Sequence, residues 1–186
     1  MNYKLKKWLG NILIVVSLSG LLFIYYPILK ELLFPPHFTK SQMDKIQFSI
    51  DLPSINVFSP IIPNVDPFNP KDYLAKLEHG VGQAKGTALP GQGKTVYLFA
   101  HSSDVPWRIT RYNTAFFKLD FIKNGDLIII RRNGIVYKYK VYDKKTIWPN
   151  EISYLTKPQG NILILQTCVP VGTDWQRLLV FARPIN

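Results

Sequence analysis

The sequence predicts a mainly β protein, a closed or nearly closed barrel with one or two short helices, carried behind one N-terminal transmembrane helix. Three observations predict it. Trp8 to Leu29 contains no charged residue. Beyond about residue 46 the chain breaks into short apolar or alternating runs punctuated by glycine and proline, as strands and turns do. Asn133-Gly134, between two such runs, is a strong two-residue hairpin signal.

The 22 residues from Trp8 to Leu29 would span about 33 Å as a helix, close to the hydrocarbon thickness of a bilayer. Lys4, Lys6 and Lys7 precede them, and Lys30 and Glu31 follow and cancel. This bias predicts a cytoplasmic N-terminus and a chain that lies outside the membrane after about residue 30. Trp8 and Tyr25-Tyr26 suit the two interfaces. A cleaved signal peptide ending near Ser17-Leu-Ser19 is the alternative, but Leu21-Leu-Phe-Ile-Tyr-Tyr26 continues the apolar run beyond that site. The reading is a single-pass cell-membrane protein, anchored through residues 8–29. Phe34-Pro-Pro-His-Phe-Thr-Lys-Ser41 reads as an extended spacer. The domains are then 1–34 for tail and anchor, 35–45 for the linker and 46–186 for the barrel.

Ile46-Gln-Phe-Ser-Ile50 alternates like a half-buried strand, and Ile55 to Ile62 is a second strand between Pro53 and Pro63. Asn69-Pro70 caps a short helix over Tyr73 to Glu78. Six glycines and prolines from Gly80 to Gly93 mark a loop-rich stretch. Thr95 to Ala100 is a strand, and Thr114 to Leu119 is a short helical turn. Asp126 to Arg131 and Gly134 to Tyr142 form the clearest strand pair. In the second partner Ile135, Tyr137, Tyr139 and Val141 share the face assigned to the core. Ile162 to Thr167 and Leu178 to Ala182 complete seven or eight strands, without internal repeat or low-complexity tract.

Composition narrows the function. Hydrophobic residues make up 47% and aromatics 13%, which excludes a disordered chain. A single cysteine excludes an intramolecular disulfide and any multi-cysteine zinc site. No acidic cluster suggests calcium, so neither metal nor cofactor is expected. The net charge of +11 suits nucleic acid, an anionic membrane or an acidic envelope. The basic residues are scattered, with no face or arginine-rich tract, so no nucleic-acid partner is expected.

Cys168, the lone thiol, ends one apolar run. Arg177, nine positions later, opens the next, and His101 ends a third. A thiol, an imidazole and a guanidinium at three strand tips are the parts of a thiol active site. Rivals exist. A lone cysteine is often a buried structural one. His37 lies in the spacer, and His79 sits at a helix end where a cation is favourable anyway. Arg183 shares a face with Arg177 but stands at the far end of its strand.

Several segments resemble the sortases, membrane-anchored cysteine transpeptidases of bacteria. They are Ile62-Pro-Asn-Val65, His79-Gly-Val-Gly82 followed by Gly86-Thr-Ala-Leu-Pro-Gly91, Tyr97-Leu-Phe-Ala-His-Ser102, Phe117-Lys-Leu119, Lys123-Asn-Gly-Asp126, Leu165-Gln-Thr-Cys168 and Arg177-Leu-Leu-Val180. The match covers roughly residues 46–184 and departs from the Thr-Leu-x-Thr-Cys signature at its first position, Ile164. The resemblance implies an eight-stranded β-barrel and a catalytic set of His101, Cys168 and Arg177. Cys168 would attack a peptide carbonyl and form a thioacyl intermediate. His101 would protonate the leaving amine and deprotonate the incoming one. Arg177 would stabilise the developing oxyanion. Thr167, Ser102, Trp107 and Trp175 are the expected substrate contacts, with Asp174 in the same loop as Trp175. Secreted proteins with a C-terminal sorting motif are the implied substrates, and an amine of the cell envelope or of another subunit is the implied acceptor. Asp66-Pro67-Phe68 resembles the lid tripeptide of pilin-building sortases, but follows Ile62-Pro-Asn-Val65 where that lid precedes the first strands, so no lid is assigned. Two other classes compete. One is a non-catalytic anchored β-domain binding envelope polymers. The other is an envelope transpeptidase with its histidine just before the cysteine, which the 67 positions between His101 and Cys168 disfavour.

Overall fold

The computed structural model describes residues 3–33, 43, 45–102, 115–157 and 159–185. The chain divides into two compact units. The first contains helix α1 (Tyr3–Leu33), of which Tyr3–Tyr26 is long and apolar enough to cross a membrane. The span begins five residues earlier than Trp8, because a helix tolerates lysines in its first turns without breaking. The expected spacer, Phe34 to Ser41, lies outside the described residues.

The second unit is a closed barrel of eight strands: β1 (Phe48–Leu52), β2 (Val57–Val65), β3 (Val81–Ala84), β4 (Val96–Phe99), β5 (Leu127–Arg132), β6 (Ile135–Ile147), β7 (Leu163–Val169) and β8 (Gln176–Ile185). Around the barrel they run β1-β2-β3-β4-β7-β8-β6-β5. β2 pairs with β3, and β4 with β7, in parallel; all other neighbours are antiparallel. Closure leaves no open sheet edge.

Alternation divides the strands into two faces. Ile50, Leu52, Ile61, Val81, Val96, Leu98, Ile128, Ile130, Leu163, Leu165, Leu178 and Val180 pack together as the barrel interior. Tyr97, Phe99, Ile164, Leu179 and Phe181 form a second apolar cluster on the outer face. Two short helices cover it: α2 (Pro70–Leu77) supplies Tyr73 and Leu77, and α3 (Ser153–Thr156) supplies Tyr154 and Leu155. As the cap signal requires, the Asn69 side chain accepts from the amides of Lys71 and Asp72. The Asp72–Lys76 ion pair spans one turn at 2.7 Å. The Lys76 hydrogen bond is the main reason the Asp72 carboxyl lies below its ordinary range.

The hairpin forms at Asn133-Gly134 with φ of 51° and 79°, the two left-handed residues of a type I′ turn. The apolar face of β6 is only partly a core face. Tyr139 and Val141 are buried, but Ile135 at the hairpin end is exposed. The strand also continues past Tyr142 to Ile147. A register shift between Val141 and Asp143 interrupts its alternation, and a bulge of this kind re-aims every later side chain. The loop-rich reading of residues 80–93 missed β3, a four-residue strand buried throughout. Gly82 is required there. A Cβ would lie 3.0 Å from Leu77 Cδ2 and 3.1 Å from the Phe99 ring, so β3 must be bare for α2 and β4 to close over it. The helical turn expected at 114–119 is a turn at 115–118 followed by a 3-10 turn, Leu119–Phe121; Phe116 and Leu119 are buried.

Candidate active site

The parallel pairing of β4 with β7 brings two distant segments level. Their register runs Val96↔Leu163 to Phe99↔Gln166. The Ala100 amide extends the pairing by donating to the Gln166 carbonyl at 3.2 Å. His101 follows β4 and Cys168 follows Thr167 in β7, so 67 residues of sequence separation reduce to neighbouring strand ends. On the other side of β7 the antiparallel register pairs Cys168 directly with Arg177, and directly opposed residues project to the same face. Counting back by two from Cys168 gives Gln166 and Ile164, both outer-face positions. Tyr97 and Phe99 establish the same parity for His101, as Leu179 and Phe181 do for Arg177.

These residues line one cleft of about 250 Å³, bounded by Pro67, Tyr73, Leu77, Phe99, His101, Gln166, Cys168, Asp174 and Arg177. The Tyr73 ring lies 6.3 Å from the His101 ring and 6.5 Å, edge-on, from Phe99. Arg177 Nη1 donates to the backbone carbonyls of Asp174 at 2.8 Å and Gln176 at 3.2 Å. These bonds hold the guanidinium against its own turn without neutralising it. Burial pushes the Cys168 thiol up; the Arg177 charge pulls it down and Asp174 pushes it up, each less strongly. Burial thus favours the protonated thiol, and an attack must move its proton.

The other sequence candidates fall in different places. Thr167 points into the barrel, not the cleft. It is 2% exposed, and its hydroxyl donates to the Ala100 carbonyl at 3.2 Å. Its hydroxyl thus ties β7 to the segment carrying His101. Ser102 is buried and does not line the cleft. Trp175 is 68% exposed on the β7–β8 turn. Trp107 lies outside the described residues.

Sequence reading assigned no role to Tyr73, Leu77, Gln166 or Pro67. Gln166 stands two residues before the thiol, but the apolar run ahead of it hides which face it takes until the partner strands are in place. Pro67 reaches the cleft from the β2–α2 turn. There Asp66 Oδ1 accepts from the Phe68 amide at 3.0 Å, and Asp72 Oδ2 accepts from the Asp66 amide at 2.9 Å. A position judged from chain order alone was thus brought to the cleft by the fold.

A closed mixed barrel with a thiol, an imidazole and a guanidinium along one outer cleft defines the class. The model of the sortase domain matches residues 50–185. Among solved structures, sortase A of Corynebacterium diphtheriae (a lid mutant) is 30% identical with a TM-score of 0.62, over 76% of this chain and 70% of that one. Sortase C-1 of Actinomyces oris is 30% identical with a TM-score of 0.62, over 78% of each chain. Sortase C of Clostridium perfringens is 30% identical with a TM-score of 0.58, over 74% of this chain and 68% of that one. Comparison with the curated proteins gave no sequence match. The chain belongs to the sortase family and is a cysteine transpeptidase. The non-catalytic envelope-binding reading is not favoured.

Proposed function

We propose that Cys168, His101 and Arg177 carry the transpeptidation, and that the sorting segment of a secreted protein is the acyl donor. The supporting observation is the shared face: β4–β7 pairing sets His101 beside the end of β7, and β7–β8 register sets Arg177 opposite Cys168. His101 takes the thiol proton as Sγ attacks the scissile carbonyl carbon. The carbonyl oxygen becomes an oxyanion facing the Arg177 guanidinium, whose free donors stabilise it. The C–N bond breaks, His101 returns the proton to the leaving amine, and a thioester remains. An incoming amine then loses a proton to His101 and attacks the thioester. The C–S bond breaks and the thiol is restored with that proton. The acceptor is an amine of the cell envelope or of another protein subunit.

Helix α1 anchors the enzyme in this reading. Lys4, Lys6 and Lys7 keep the N-terminus cytoplasmic and the barrel outside, where secreted substrates pass. Residues 1–34, 35–45 and 46–186 serve as anchor, linker and catalytic domain.

The test incubates the full chain in detergent with a library of peptides bearing Leu-Pro-x-Thr-Gly-like motifs and an added amine. Mass spectrometry should find an acyl adduct on Cys168 and an amine-capped product. An alkylatable Cys168 that yields neither would overturn the assignment.

A further inference from the structure

Gln166 is a carboxamide set in an apolar floor. Its register partners are Phe99 on β4 and Leu179 on β8, both members of the outer apolar cluster. Such a group is costly in that setting unless its polar atoms have work. One has: Oε1 accepts from the Tyr97 hydroxyl at 2.5 Å. Tyr97 is itself buried, and burial holds its phenol far above the ordinary range, so it remains a donor. With Oε1 taken, the amide is fixed in one orientation and Nε2 holds two N–H donors. Among the described residues, Nε2 makes no hydrogen bond, and Ser49 Oγ is the only buried side-chain polar atom without a partner. Nε2 is therefore open to the surface, and Gln166 lines the same cleft as Cys168. Two residues along a strand place it about 7 Å from the thiol. That matches a substrate group one or two residues from the attacked carbonyl.

We propose that Gln166, held by Tyr97, is a specificity-determining residue that donates from Nε2 to an oxygen acceptor of the sorting segment, a backbone carbonyl or an acceptor side chain near the scissile bond. This rests on Cys168 forming the thioacyl enzyme. Gln166 reads a hydrogen-bond acceptor where its register partners, Phe99 and Leu179, offer only apolar contact. A purely apolar segment then leaves Nε2 dry and unpaired, which is the stronger source of discrimination.

The experiment measures acylation of the full chain by the peptide library for wild type, Gln166→Met, Gln166→Glu and Tyr97→Phe, with iodoacetamide alkylation of Cys168 as a control for the fold and thiol. Gln166→Met should raise KM about tenfold with little change in kcat or alkylation rate. Either KM rises for all peptides, identifying a backbone acceptor, or the preference at one position is lost, identifying a side chain. Gln166→Glu keeps an acceptor for Tyr97 but removes the donors, so it should behave like Gln166→Met. Tyr97→Phe should blur the preference with a smaller change in KM. If wild type acylates while the Gln166 variants keep its KM and motif profile, the proposal is overturned and the catalytic assignment stands. If wild type forms no acyl adduct, both fail.

Discussion

Strand β7 has two faces that do opposite jobs. Leu163, Leu165 and Thr167 face the barrel interior and are closed to solvent; Ile164, Gln166 and Cys168 face outward, and the last two border the cleft. The inner row is apolar apart from one hydroxyl, which is satisfied. The outer row grades from a buried isoleucine to a half-buried amide to a half-buried thiol. A shift of one residue in register would exchange the two rows. The barrel therefore does more than support the site: its packing decides which residues are presented to substrate.

The largest effect should come from the outer row. Cys168→Ala should abolish the thioacyl adduct and amine-capped product while leaving the thermal transition near wild type, since the side chain contributes little to the interior. A variant with undiminished transpeptidation would sink the assignment. Arg177→Ala should lower kcat by about 10²–10³-fold, the usual loss of an oxyanion donor, with Cys168 still alkylatable. An unchanged kcat would reduce Arg177 to a brace for its turn, the role its two carbonyl bonds already describe.

On the inner row, Leu165→Ala should cost about 2–5 kcal/mol of stability by cavity formation, measured by chemical denaturation. Activity per folded molecule should be largely kept. Thr167→Val is the sharper probe, because the two faces give different outcomes. If the hydroxyl only ties β7 to Ala100, stability should fall by about 1 kcal/mol and KM should hold. A large kcat loss without a stability change would instead assign Thr167 to the oxyanion.

Strand parity also explains what the sequence disclosed. Cys168, His101 and Arg177 were visible because each stands at the tip of an apolar run, and the hairpin at Asn133-Gly134 because only two left-handed residues fit there. The faces of β7 were equally visible in principle, but a run such as Ile162-Leu-Ile-Leu165 is apolar on both sides and carries no alternation to read. Thr167 and Gln166 could not be sorted from it without the partner strands. β3 was hidden for a different reason: Gly82 looks like a turn residue locally and is a close-packing residue only once α2 and Phe99 are present. Helix α3 has four residues, too short for a 3.6-residue period to show. The extension of β6 beyond Tyr142 was lost because the bulge resets the alternation that the reading followed.

The smallest effect concerns the thiol itself. Burial is the main cause of the raised Cys168 value, Arg177 opposes it and Asp174 adds to it. Since the raised value belongs to an acid whose ionised form is the nucleophile, alkylation by iodoacetamide should rise with pH through a midpoint above the ordinary thiol range, not below it. Arg177→Gln removes a charge that favours the thiolate and should move the midpoint further up. Asp174→Asn removes a charge that opposes it and should move the midpoint down. Opposite shifts from two residues of one turn would show that both act on the thiol through space. Shifts of the same sign would mean that each substitution merely loosens the turn and admits water, which lowers the value whichever charge is lost. A midpoint below the ordinary range in wild type would mean that the cleft in solution solvates Cys168 or pairs it with a cation, and the proton transfer to His101 would then precede substrate binding.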